Sequence, residues 1–291
     1  MRVTAPEPVW DVVCPSRPGR LPGIRMAGFR DHGVNPVDQL ALPHPDITLL
    51  LEFGPGAVTV DDAASRCGGS LVGGLGSGTR RVRGAQIECV QVRLSPLIAG
   101  PLLGVSLAEL SGALVPLDAL WGRESALIRE RLAETRSWEQ RFALIEALLA
   151  RRYAAAPAAD PEVVWAWRRI RSGHGLVRVD ALADELGWTR KRLWSRFQTQ
   201  LGLPPKRAAT LVRFDHAVHR LAAGTDPARV AAETGYADQS HLHRDIVAFS
   251  GITPTAVAVT SWLAVDDIAW PTAALPHQDP DLQPAAQVQR S

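Results

Sequence analysis

Apolar positions recur at helical spacing in two copies of one pattern between Arg178 and Ala256. In the first copy a short helix is predicted from Ala181 to Leu186. It stops at Gly187, turns through Trp188 and restarts at Thr189, a residue suited to capping a helix N-terminus. The helix that follows runs to about Leu201 and ends at Gly202. In the second copy a helix from about Pro227 to Thr234 stops at Gly235, turns through Tyr236, restarts near Asp238 and ends before Gly251. The turn glycines lie 48 residues apart, whereas Leu193/Leu242, Phe197/Ile246, Gly202/Gly251 and Pro205/Pro254 lie 49 apart, so the second turn carries one extra residue. A repeat kept through so many positions predicts two helix-turn-helix units. A helix from about Pro205 to Gly224 joins them. Another, Glu162 to Ser172, precedes them and packs on the first unit through Val163, Val164, Trp167 and Ile170.

The second helix of each unit has two distinct faces. At roughly 100° per residue, Leu193, Phe197 and Leu201 share one side, while Lys191, Ser195 and Thr199 point the other way, with Arg192 and Trp194 at the flanks. In the second unit Leu242, Ile246 and Phe249 form the inner stripe, leaving Ser240 and Arg244 outermost with Gln239, His241 and His243 nearby. Such a helix fits the DNA major groove, where Arg, Lys, Ser, His and Gln hydrogen-bond base edges. The joining helix spans about 28 Å at 1.5 Å per residue, close to one DNA turn of ~34 Å once the flanking bodies are added.

Upstream the period changes. Between Leu21 and Leu94 short β-prone runs alternate with turn residues: Ile24 to Phe29, Ile47 to Phe53, Ala57 to Val60, Ser70 to Leu75 and Ala85 to Leu94. In the last run Ile87, Cys89 and Gln91 face opposite Glu88, Val90 and Val92, and both sides carry apolar residues. Single hairpins are not stable alone, so a small barrel or sandwich is predicted. From about 95 to 153 the pattern turns helical, with Leu127, Ile128 and Leu132, then Trp138, Phe142, Ile145, Leu148 and Leu149, recurring at spacings of three and four. Helices capping the β domain and a dimer interface both fit that pattern.

These changes of period divide the chain into an N-terminal domain (1–153), a linker rich in alanine and proline (154–161), a helix-turn-helix domain (162–262) and a tail (263–291) predicted to lack order. The fold class is α+β, a β-rich half followed by an all-α half.

Charge is uneven along the chain. The net charge is only +2 over 291 residues, which excludes a basic coat for nucleic acid, but residues 161–262 carry 14 cations and 9 acids. From Thr189 to Arg213 there are seven cations (Arg190, Lys191, Arg192, Arg196, Lys206, Arg207, Arg213) and no acid. That run attracts phosphate. From Asp226 to Ala256 only Arg229 and Arg244 stand against Asp226, Glu233, Asp238 and Asp245, so the first unit is expected to supply most of the affinity and the second to tune it.

Other chemistry finds little support. Cys14, Cys67 and Cys89 are widely spaced and lack the close pairs of a zinc site; they suit small, buried or partly buried positions in a reducing cytoplasm. His32 and His44 lack the His-x-His pair of a metal-dependent cupin, and His216 with His219 lacks a third ligand. The glycine-rich run from Gly73 to Arg80 has no Lys-Ser/Thr ending and no helical pattern after it, so it reads as a turn between strands and not as a phosphate loop. Neither Met1 to Trp10 nor the proline-broken stretch from Leu94 to Leu120 spans a membrane. No metal or cofactor is expected.

Residues 178–256 resemble the DNA-binding domain of the AraC/XylS family of bacterial transcription regulators. The matching positions are Leu182-Ala183, Gly187, Leu193, Arg196-Phe197, Gly202 and Pro205, then Gly235-Tyr236, Asp238, Ser240, Leu242, Arg244, Gly251 and Thr253-Pro254; Ile246 departs from the aromatic residue usual in the family. The resemblance implies a non-enzymatic, sequence-specific regulator of transcription. Its N-terminal domain is then a cupin-like barrel that binds a small effector or mediates dimerisation, and its partners are double-stranded DNA, such an effector, a second copy and RNA polymerase. The DNA-contacting residues expected are Thr189, Arg190, Lys191, Arg192, Trp194, Ser195, Thr199, Lys206, Arg207, Gln239, Ser240, His241, His243 and Arg244. Two alternatives stand beside this reading: an architectural DNA binder without sequence preference, and a DNA-repair enzyme that carries the same module.

Overall fold

Each β-prone run of the sequence holds one strand, and five further short strands complete two antiparallel sheets. The computed structural model describes residues 10–17, 19–33, 35–62, 65–76, 78–154, 158–258 and 260–270. The larger sheet contains β1 (Trp10–Val13), β2 (Ile24–Asp31), β4 (Ile47–Glu52), β7 (Leu71–Gly73), β9 (Glu88–Leu94) and β10 (Leu114–Pro116), in the order β1-β2-β9-β4-β7-β10. The smaller one contains β3 (Val37–Ala41), β5 (Ala57–Asp61), β6 (Arg66–Gly68) and β8 (Arg80–Ala85), in the order β3-β8-β5-β6.

Sandwiching explains the strands that are apolar on both sides. In β9, Cys89 points between the sheets with Phe29, Val58 and Val60, while Val90, Val92 and Leu94 face away from the small sheet. That outer face lies under four helices, α1 (Pro96–Leu103), α2 (Leu117–Trp121), α3 (Arg123–Glu134) and α4 (Trp138–Ala154), which bury Leu102, Leu117, Leu132, Phe142 and Ile145. At about 1.5–3 kcal/mol for each large apolar side chain taken from water, this double burial is the main force holding β4 and β9 at the centre. The barrel expected from the sequence is not closed. Among the described residues no ladder joins the two sheets, which form an open sandwich.

The C-terminal half consists of α5 (Pro161–Ser172), α6 (Val179–Glu185), α7 (Arg190–Leu201), α8 (Pro205–Ala222), α9 (Pro227–Glu233), α10 (Gln239–Ser250), α11 (Pro254–Ala258) and α12 (Ser261–Ala269). Its core is continuous with the one beneath the large sheet, through contacts such as α1 against α7. Gly202, in the left-handed conformation (φ 75°) that ends α7, lies directly against the Leu107 carbonyl of the N-terminal half. Of the stretch expected to be a linker, residues 155–157 lie outside the described residues, and the Asp160 N–H is anchored on Gln200 Oε1 at 3.0 Å.

The tail prediction needs correction. From 261 to 269 the chain is helical as α12, which packs on β1, β3 and α8 and places Val265, Ala269 and Trp270 in the core between the sheets. Leu263, Val265, Ala269 and Trp270 had a surface to bury against, which local composition does not reveal. The remainder of that tail, 271–291, lies outside the described residues.

Candidate nucleic-acid interface

The two second helices are built from the same parts. Thr189 Oγ1 accepts the Arg192 N–H at 3.2 Å to start α7, and Asp238 Oδ1 accepts the His241 N–H at 2.7 Å to start α10. Both end on a glycine with positive φ, Gly202 at 75° and Gly251 at 74°. Between these caps Leu193, Phe197 and Leu201 of α7, and Leu242, Ile246 and Phe249 of α10, are buried. Ile246, the departure from the usual aromatic, is fully enclosed, so the smaller side chain still fills its site.

The opposite faces are open to solvent. Lys191, Arg192, Trp194, Ser195 and Thr199 are exposed on α7, as are Gln239, Ser240, His243 and Arg244 on α10. Trp194 is 52% exposed, which is unusual for so large an apolar ring, and it gives the polar face an apolar patch suited to a thymine methyl group. His241 is half-buried, its ring edge-on to Tyr236 at 5.2 Å. Arg190 pairs with Asp180 at 2.8 Å while remaining mostly exposed, and Arg192 lies over the Trp188 ring at 4.4 Å. At the start of α8, Lys206 is exposed and Arg207 sits over the Phe249 ring at 4.3 Å, which joins the two units directly.

The acidic balance of the second unit has a structural origin. Asp226 caps α9 through the Ala228 and Arg229 N–H groups, and Asp238 caps α10. Glu233 lies between Arg220 and Arg229, whose guanidinium groups lower its pKa. Asp245 binds Arg213 at 2.7 Å. All four acids are thus engaged in caps or ion pairs, so the sequence count overstates the repulsion they would exert on DNA.

Nothing among the described residues resembles a reactive thiol or metal centre. Cys67 and Cys89 are buried, Cys14 is exposed where a buried or partly buried position was expected, and burial raises all three thiol pKa values, the opposite of nucleophile activation. No group of three or more His, Cys, Asp or Glu among these residues could hold a metal ion. His32 is exposed beside Asp11, and His219 makes its contacts to Asp215 and Asp266. No described helix is long and apolar enough to cross a membrane.

The sequence left effector residues unassigned, and the structure supplies a candidate site. A cavity of about 90 Å³ lies between the sheets, lined by residues that include Trp10, Phe29, His44, Arg80, Ile87 and Gln91. The available signal was the alternation in β9, which places polar Gln91 on the side facing the other sheet.

Residues 182–258 match the family model of a helix-turn-helix domain of the AraC type. No match emerges among well-characterised protein sequences. Two solved structures of ToxT from Vibrio cholerae are similar over most of both chains. That of strain O395 is 11% identical with a TM-score of 0.45, covering 83% of this chain and 98% of that one. The apo K231A form from strain SCE256 is 11% identical with a TM-score of 0.42, covering 84% and 99%. The AraC-like transcriptional activator CuxR is 15% identical with a TM-score of 0.26, covering 66% and 80%. These structural likenesses are distant and carry no functional assignment. The paired helix-turn-helix units and the match to their family model define a DNA-binding transcriptional regulator. Residues 182–258 are thus a helix-turn-helix domain of the AraC type.

Proposed function

We propose that the protein is a cytoplasmic, sequence-specific regulator that reads two successive major grooves from one side of the duplex. Lys191, Trp194, Ser195 and Thr199 contact bases in one groove, and Gln239, Ser240, His241, His243 and Arg244 contact bases in the next. Arg190, Arg192, Lys206 and Arg207 hold phosphates, with Thr189 at the N-terminus of α7. The observation that carries this reading is the pairing of two capped helices, each buried on its apolar side and open on its polar side, on a joining helix of 18 residues. At 1.5 Å per residue α8 spans about 27 Å, close to the separation of successive grooves. The N-terminal domain acts as the sensor, with an effector in the cavity between its sheets. Exposed Leu127 on α3 offers an apolar contact for a second copy, and contact with RNA polymerase follows if the regulator is an activator.

The test is selection of random duplexes by the full chain at physiological salt, followed by sequencing of what is retained. A motif with two half-sites about one helical turn apart is expected. A single half-site removes base reading by one unit. Retention without a motif, lost on adding salt, identifies an architectural binder.

A further inference from the structure

The loop between α5 and α6 lies between the two helix-turn-helix units, and its contacts fix its path. His174, with φ at 49°, stacks its ring on that of His216 of α8 at 4.1 Å. Gly175, with φ at 76°, passes so close to α8 that a side chain there would strike the Ala209 carbonyl and the Arg213 backbone nitrogen. Leu176 crosses to the second unit, where its Cδ2 fills the space that a side chain at Gly235 would need, and it is still 49% exposed. Arg213 completes the junction, its guanidinium lying over the Tyr236 ring at 4.3 Å. Leu176 thus touches the turn that leads to Asp238, the cap of α10. Further along, Asp180 binds Arg190, the first residue of α7, at 2.8 Å. Residues 176–180 therefore run from the entry of one second helix to the entry of the other. Arg178 stands in the middle of this stretch with its side chain 83% exposed; Asp180 approaches it only to 4.0 Å, and among the described residues it has no closer acidic partner.

We propose that Arg178 enters the minor groove between the two half-sites and makes the protein select A·T pairs there. The proposal rests on the reading of two successive major grooves from one side of the duplex. Helices that enter those grooves leave the minor groove facing the protein between them, which is where the stretch 176–180 lies. A run of A·T pairs narrows that groove and deepens its negative potential, which draws a guanidinium in, whereas the amino group of G obstructs the groove floor. A guanidinium is planar and more weakly hydrated than an ammonium, so arginine loses less than lysine on entering a narrow slot. Held at His174, Gly175 and Leu176, the loop gives up little conformational freedom when it binds.

The experiment uses the full chain and duplexes that carry both selected half-sites, joined by central base pairs that are all A·T, all G·C or all inosine·cytosine. The inosine pair keeps the major-groove edge of G·C but lacks the amino group in the minor groove. The A·T and inosine duplexes are expected to bind alike, and about five- to tenfold more tightly than the G·C duplex. Arg178→Ala is expected to abolish that difference while leaving the choice of bases within each half-site unchanged, and Arg178→Lys to retain only part of it. An inosine spacer that binds as weakly as G·C, or a spacer preference that survives in Arg178→Ala, overturns the inference. So does an Arg178→Ala variant that weakens all three duplexes alike and lowers the slope of log affinity against log salt by about one unit, because Arg178 would then be a phosphate anchor. The wild-type comparison of the three spacers stands even if a variant does not fold. Failure of the two-groove reading shows earlier, as selected DNA with a single half-site, and overturns both; paired half-sites with indifference to the spacer overturn this inference alone.

Discussion

Arg93 on β9 and Asp266 on α12 form a buried ion pair across 173 residues of sequence, each side chain only 5% exposed. The second Asp266 oxygen lies 3.2 Å from His219 Nε2 on α8, and the Trp270 ring covers the Arg93 guanidinium at 4.6 Å. One carboxylate thus joins the central strand of the large sheet to the helix that spaces the two helix-turn-helix units. Removing one partner leaves the other charge buried without compensation, which costs about 3–5 kcal/mol. Asp266→Ala is therefore expected to lose stability of that order in urea denaturation, and the double variant Arg93→Met/Asp266→Leu to lose much less. Equal losses would show that the apolar packing of α12, and not the ion pair, holds it in place.

The same junction sets a pH dependence. Burial alone would lower the His219 pKa, but the Asp266 and Asp215 carboxylates raise it to about 9. A raised histidine contributes stability that is fully present below its unfolded pKa of about 6.5 and lost as pH climbs through about 9. His216 behaves in the opposite sense. Burial, with the His174 ring and Arg220 nearby, lowers it to about 4, so its contribution is present above pH about 6.5 and lost as pH falls towards 4. Stability is expected to peak near neutrality, with His219→Gln flattening the alkaline limb by about 2 kcal/mol and His216→Gln flattening the acid limb. Thermal melts from pH 4 to 10 on the three proteins check both signs.

Gly202 and Gly251 separate the cost of backbone strain from the cost of contact between the two halves. Both have positive φ, but a side chain at Gly251 meets open space, whereas one at Gly202 meets the Leu107 backbone. Gly251→Ala is expected to cost about 1 kcal/mol, the penalty for the left-handed conformation alone. Gly202→Ala is expected to cost more and to increase protease access between the halves, measured by limited proteolysis.

How far the fold was readable depended on whether a local pattern reported the burial. The second helix of each unit was legible to within a residue or two because capping residues and glycines mark its ends and each hides a single stripe. Strands β1, β3, β6 and β8 carried no comparable signal, being short and rich in Arg, Asp and Gly, and they gain stability from pairing with distant strands. Helix α12 was missed for a related reason: Val265 and Trp270 bury against β strands more than 200 residues away in sequence. Within the candidate site, the outward positions of α7 and α10 followed from helical period alone. The cavity between the sheets did not, because the residues that line it come from strands far apart in sequence.

Phe197 and Trp194 test whether the two faces of α7 have separate roles. Phe197 is wholly enclosed, and its replacement by Ala is expected to cost about 3–5 kcal/mol and to abolish DNA binding through loss of the fold. Trp194→Ala is expected to change stability by less than about 0.5 kcal/mol while altering the preferred DNA sequence. Urea denaturation and duplex selection on both variants provide the check; a Trp194 variant with unchanged preference would remove that residue from base reading.

Lys206 and Arg244 distinguish anchoring from reading. Lys206 lies in the first turn of α8, within the acid-free basic run from Thr189 to Arg213, is exposed, and presents a flexible point charge suited to phosphate. Lys206→Ala is expected to weaken all duplexes alike and to reduce the slope of log affinity against log salt by about one unit. Arg244 occupies the exposed face of α10, with Nε 3.4 Å from the Ser240 carbonyl one turn earlier, which directs its fork outward alongside Ser240. Arg244→Ala is expected to cost about 1–3 kcal/mol on the preferred duplex, to relax selection at one base pair, and to leave non-specific affinity nearly unchanged. Titrations of both variants against preferred and scrambled duplexes at several salt concentrations separate the two roles. If Arg244→Ala instead weakened both duplexes equally, α10 would be a positioning element, and base reading would belong to the first unit alone.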